Sequence, residues 1–164
     1  MRRSGAAGEA AVGHGRGYTL FEMMATLVIA GIAMSIAVPS MEGVLRRERV
    51  RGAMNRLAGD LEFTRMAALR NGRSTVLRFA PTPGCPRPGG GGYRISLKGT
   101  STVLRRWYAD ERVAVCFQTT NADSLIYNSH GLLAPFNNRT IRGVLGPARD
   151  SLTVSSAGRI YRRW

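Results

Sequence analysis

Lysine is nearly missing from this chain: Lys98 stands alone against 23 arginines. Acids are scarce as well, ten in all, so the 164 residues carry a formal net charge of +14. That imbalance favours anionic partners such as nucleic acid or lipid headgroups. The other reading is an arginine-rich but ordinary solvated surface, and composition alone does not choose between them. Cys85 and Cys116 are the only cysteines, and His14 and His130 the only histidines. They supply no four-cysteine zinc site and no HExxH or CxxC spacing, so metal chemistry has no ligand set and no cofactor is implied. One disulfide in an oxidising compartment and two buried thiols explain the cysteine count equally well.

Convergent titratable groups are lacking too. His130 lies in Asn128-Ser129-His130-Gly131, which reads as a turn, and Asp110-Glu111 are sequence neighbours whose side chains point apart, so no catalytic residue is expected. Gly13-His14-Gly15-Arg16-Gly17 and the four glycines Gly89 to Gly92 lack the GxxxxGK[ST] spacing of a phosphate cradle. The length fits one domain, and 44% hydrophobic residues suffice for a core.

Charge is absent altogether from Met23 to Met41, a run of 19 residues. As a helix this run reaches ~28 Å, about one hydrocarbon thickness, and reads as a single membrane span. Before it, residues 1–17 are small and carry Arg2, Arg3 and Arg16. A secretory signal has its small-residue cleavage site after the apolar region, whereas here the best such site, Gly17, precedes it. Cleavage there would leave the helix on the mature chain. Thr19-Leu20-Phe21-Glu22 fits a capping box, with Thr19 as N-cap and Glu22 at N3. The alternative for Glu22 is an ion pair with the α-amino group that cleavage frees, since an unpaired charge beside an apolar helix costs a few kcal/mol. Pro39 is expected to kink or open the helix near Ala37 and Val38.

Gly17-Tyr18-Thr19-Leu20-Phe21-Glu22, followed by the apolar run and Pro39, resembles the N-terminal signature of type IV pilins and type II secretion pseudopilins. The resemblance implies that a prepilin peptidase cuts between Gly17 and Tyr18 and that Tyr18, where the family most often has Phe, becomes N-methylated. It implies that Glu22 pairs with the N-terminal amine of a neighbouring subunit during assembly. Its implied partners are other pilins or pseudopilins and an inner-membrane assembly platform. The implied location is the inner membrane, single-pass, with the C-terminal domain in the periplasm, before assembly into a pilus or pseudopilus.

From Ser40 to Arg70 the apolar residues Val50, Met54, Leu57, Leu61, Ala68 and Leu69 recur at helical steps, while Arg46, Arg47, Arg49, Arg51 and Arg56 take other faces. Glu48, Asp60 and Glu62 interrupt the basic face, which reads as solvated, although a cluster just after a membrane span also suits anionic headgroups. Asn71-Gly72 ends this amphipathic helix. Short strands are expected near Ser74 to Phe79, Tyr93 to Leu97, Val103 to Tyr108, Val113 to Phe117, Leu125 to Tyr127, Thr140 to Leu145, Leu152 to Val154 and Arg159 to Arg162. The segment Ala80 to Gly92, with four prolines and five glycines, is expected to be a loop without regular structure.

The expected architecture is therefore α+β: a leader at 1–17, a transmembrane and filament-core helix at 18–41, and a periplasmic domain at 42–164 in which an amphipathic helix packs on antiparallel strands. This layout resembles the subgroup joining pseudopilin H of type II secretion with the FimT minor pilins. Two functions follow: a minor pseudopilin subunit for protein secretion, or a FimT-like minor pilin that binds DNA. The second rests on Gly158 to Trp164, where Arg159, Arg162 and Arg163 accompany Tyr161 and Trp164, composition suited to phosphates and bases. DNA-binding FimT proteins carry Gly-Arg-x-Arg there. Here Arg159 is followed by two residues before Arg162, which puts the two on opposite faces of a regular strand.

Overall fold

A computed structural model describes residues 18–108, 115–120 and 122–163, with the side chains of Ile36–Ser40 and Arg163 outside the description. Helix α1 (Leu20–Asn71) runs for 52 residues. Thr19 Oγ1 accepts the Glu22 N–H at 3.2 Å and so caps its first turn. Exposed pairs support it further on, Glu42 with Arg46 at 2.7 Å and Glu48 with Arg51 at 3.5 Å, each acid N-terminal to its arginine. At the far end Gly72, with φ of 58°, supplies the left-handed residue that stops the helix. The backbone stays helical through Pro39, and no second helix begins there.

The chain divides into two compact units between Pro39 and Ser40. In the second unit, residues 50–71 of α1 bury Val50, Met54, Leu57, Leu61 and Ala68. Leu69, expected in the same stripe, is exposed. The faces that continue the stripe at helical spacing are instead Asp60 and Thr64, both buried.

Among the described residues ten strands follow: β1 (Thr75–Ala80), β2 (Gly89–Gly90), β3 (Gly92–Leu97), β4 (Val103–Tyr108), β5 (Cys116–Thr119), β6 (Ser124–Tyr127), β7 (Leu133–Ala134), β8 (Arg139–Leu145), β9 (Ala148–Val154) and β10 (Ile160–Arg163). They form two antiparallel sheets, β4-β3-β1-β6-β7 and β10-β9-β8-β5-β2. Alternation sets their inner faces. Thr75, Leu77 and Phe79 of β1 are buried with Leu125, Tyr127, Tyr93 and Ile95 beside them, while Arg78 is exposed. Helix α1 approaches β8 closely, since a Cβ on Gly143 would lie 2.8 Å from Met54 Sδ. Where the sheets meet, the rings of Phe79, Tyr93, Trp107 and Phe117 contact one another, with Tyr93 stacked on Trp107 at 5.4 Å.

Two strands, β2 and β7, have no counterpart among those expected. The Ala80 to Gly92 segment contains β2, because glycine alone fits: a Cβ on Gly89 would sit 1.8 Å from Phe117 O, and one on Gly90 1.7 Å from Ala80 O. β7 is too short to show a period. The strand expected near Val113 begins at Cys116, and Val113 lies outside the described residues.

Candidate functional site

The N-terminal helix presents the first candidate surface. Gly17 lies outside the described residues, and Tyr18 is exposed at the start of the described chain. Glu22 is exposed; its backbone N–H takes the Thr19 cap, while its carboxylate has no partner among the described residues, so the reciprocal half of a capping box is not made. Large apolar side chains cover this helix without burial, including Leu20 at 80% and Phe21 at 81% exposure, with Leu27, Val28, Ile29 and Ile32. Among the described residues no helix is long and apolar enough to cross a membrane. The expected span at 18–41 includes Ile36–Ser40, whose side chains lie outside the described residues.

The basic C-terminus is arranged differently from its composition. Arg159 is exposed but belongs to the turn before β10, where its N–H donates to Ser155 Oγ at 3.1 Å. Arg162 turns toward α1, pairing with Asp150 and donating to Asn55, and its side chain is only 16% exposed. A part-buried guanidinium held by a carboxylate is committed to the fold. The side chain of Arg163, like Trp164, lies outside the described residues. Gly158 has a packing role: with φ of 77°, it lies where a Cβ would be 2.5 Å from Gly131 O, the oxygen that accepts from Arg65 Nε at 3.2 Å.

Cys85 and Cys116 form a disulfide that ties the β1–β3 connection to β5. Asp60, expected among the charges that interrupt a solvated face, is 3% exposed. Its carboxylate accepts from Tyr93 Oη at 2.7 Å and from Arg105, whose guanidinium also lies 4.3 Å over the Phe63 ring. Burial first, and then the bond to Asp60, push the Tyr93 hydroxyl well above its ordinary range. Burial does the same to Tyr127, helped by the Glu62 charge. The sequence did hold a signal for Asp60: it lies three residues after Leu57, on the buried stripe.

Arginines dominate a surface cavity of about 770 Å³ between α1 and β8–β10. Its two acids are already engaged, Glu48 with Arg51 and Asp150 with Arg162, which leaves Arg47, Arg142 and Arg149 to set a positive potential. No group of three or more His, Cys, Asp or Glu among the described residues is placed to hold a metal.

Residues 53–158 match the family described as Type II transport protein GspH, and residues 14–38 match the prokaryotic N-terminal methylation motif. The fold is similar to the type IV minor pilin FimU of Pseudomonas aeruginosa, with 20% identity and a TM-score of 0.61 over 72% of this chain and 90% of that one. A second crystal form of FimU gives a TM-score of 0.58 at 20% identity, over 70% of this chain and 92% of that one. No curated protein matches.

Proposed function

This chain belongs to the Type II transport protein GspH family, and from that membership we propose that it is a minor pseudopilin of a type II secretion system. In this reading prepilin peptidase cuts between Gly17 and Tyr18, and Tyr18 is then N-methylated. Residues 18–41 anchor the subunit in the inner membrane, with residues 42–164 in the periplasm, until the assembly platform moves it into a short pseudopilus. The subunit is structural and does no chemistry of its own.

The observation that carries the reading is the exposed apolar surface from Leu20 to Met34. A continuous patch of this kind is covered in the working state, by lipid while stored and by neighbouring helices once assembled. Glu22, capped through its N–H and with its carboxylate unengaged among the described residues, suits the amine of a neighbouring subunit. Intact-mass measurement tests processing: removal of residues 1–17 takes away three arginines and Glu9 and lowers the net charge from +14 to +12. Glu22→Ala and Glu22→Gln should both be inserted and processed yet enter filaments poorly. Normal incorporation of the Gln variant would show that assembly does not use the Glu22 charge.

A second reading, a FimT-like minor pilin that grips DNA with its C-terminus, has the exposed Arg159 in its favour and the Asp150 pair of Arg162 against it. Secretion stands first because the matched family is described as a transport protein.

A further inference from the structure

Three arginines stand in register across one sheet. Arg78 of β1 is paired with Arg94 of β3, and Arg94 with Arg106 of β4, so all three project from the same outer face, and all three are exposed. Neighbouring strands lie ~4.8 Å apart, so the row spans roughly 10 Å. Like charges directly opposite one another destabilise strand pairing. Among the described residues no carboxylate compensates them: the row continues to Ser124 of β6, and Asp123 beside it holds the Gly89 N–H at 2.7 Å. Lys98, the single lysine, lines the same groove of about 440 Å³.

An aromatic ring completes the surface. Tyr108 lies two residues beyond Arg106 on β4, hence on the same outer face, and is 58% exposed. Its partner across the strands is Gly92, whose missing side chain admits the ring: a Cβ there would be 2.7 Å from Tyr108 Cδ1. The sheet thus offers a row of planar cations with a ring seated beside it.

We propose that this outer face of β1, β3 and β4 binds single-stranded nucleic acid, with phosphates on Arg78, Arg94, Arg106 and Lys98 and a base on Tyr108. Guanidinium forks at this spacing bracket phosphate oxygens in charge-assisted pairs. Stacking on an exposed ring is indifferent to base identity, so the site reads strandedness rather than sequence. An acidic protein surface would satisfy the arginines but leave Tyr108 unused. The proposal stands apart from the C-terminal arginines and does not depend on which filament the subunit joins.

The test uses the full chain in a neutral detergent and a short fluorescent oligothymidylate, with anisotropy read across a salt series. Arg78→Gln, Arg94→Gln and Arg106→Gln should each weaken binding and flatten the slope of log K against log salt by ~0.7. Tyr108→Ala should weaken binding roughly tenfold with the slope unchanged. Arg142→Gln, on the other sheet, should change neither. Melting curves of the Arg→Gln variants should match or exceed the parent, since repulsion is relieved, which separates lost binding from lost fold. Equal flattening by Arg142→Gln, full affinity in Tyr108→Ala, or displacement by polyglutamate as efficient as by unlabelled oligothymidylate would each overturn the assignment, as would absence of binding at low salt.

Discussion

The Tyr93 hydroxyl donates to the Asp60 carboxylate at 2.7 Å across the packing interface between α1 and β3. Arg105 on β4 donates to the other oxygen, so one buried acid joins the helix to two neighbouring strands. Asp60→Ala removes both bonds and should cost about 2 to 3 kcal/mol, since hydrogen bonds to a charged group are worth more than neutral ones. Asp60→Asn keeps an acceptor and should cost less. Chemical denaturation of both variants beside the parent checks the order, and equal losses would mean that the carboxylate charge is idle.

Two buried tyrosines should make the fold sensitive to alkali. Tyr93 and Tyr127 both have hydroxyls raised above the ordinary 10.0, each chiefly by burial. In the unfolded chain they ionise near that value, while in the fold they keep their protons, so the unfolded state binds fewer protons above it. Their stabilisation is therefore fully present below about pH 10 and lost as pH rises beyond it, at about 1.4 kcal/mol per pH unit for each tyrosine. Melting temperature measured from pH 8 to 12 should fall with a break near pH 10, and Tyr127→Phe should shallow the decline. Tyr127 Oη has no hydrogen-bond partner among the described residues, so at neutral pH that substitution should cost less than Tyr93→Phe, which strands an Asp60 oxygen.

Much of this was legible in the residue pattern, and what was not has a common cause. The helix stripe of Val50, Met54, Leu57 and Leu61 and the alternation along β1 are local periods, readable within a few residues. Asp60 interrupts that stripe as a charge, and its burial makes sense only with Tyr93 and Arg105, 33 and 45 positions away. Arg162 reads as a phosphate grip until Asp150 and Asn55 come within reach, the latter 107 positions away. The arginine row is likewise invisible in sequence, because Arg78, Arg94 and Arg106 meet only once the register of three strands is set.

Reduction should weaken the domain substantially. Cys85 and Cys116 are 31 positions apart, and closing a loop of that size restricts the unfolded chain by about 3 to 4 kcal/mol on the entropic account. Cys85→Ser should therefore lower the unfolding midpoint as much as the double Cys85→Ser, Cys116→Ser variant. Reductant should bring the parent to the same midpoint and leave the variants unmoved. A parent indifferent to reductant would show that the crosslink adds nothing to stability.

Gly158 offers a way to separate packing from binding at the C-terminus. Alanine there meets two obstacles: φ of 77° places a side chain in the left-handed region, and its Cβ would lie 2.5 Å from Gly131 O. Gly146 is the matched control, because φ of 59° imposes the first obstacle while the nearest atom, Arg46 Nη1, is 3.6 Å from the added Cβ. Gly146→Ala should cost about 1 to 2 kcal/mol, the left-handed penalty alone. Gly158→Ala should cost clearly more, because the β9–β10 turn must move away from the 128–132 turn and disturb the bond from Arg65 to Gly131. Denaturation midpoints of the two variants give the difference directly. A Gly158→Ala chain as stable as Gly146→Ala would free the glycine from its packing duty and return the Gly158-Arg159 pair to consideration as a binding element; a larger loss means that the glycine serves the fold first, whatever Arg159 contacts.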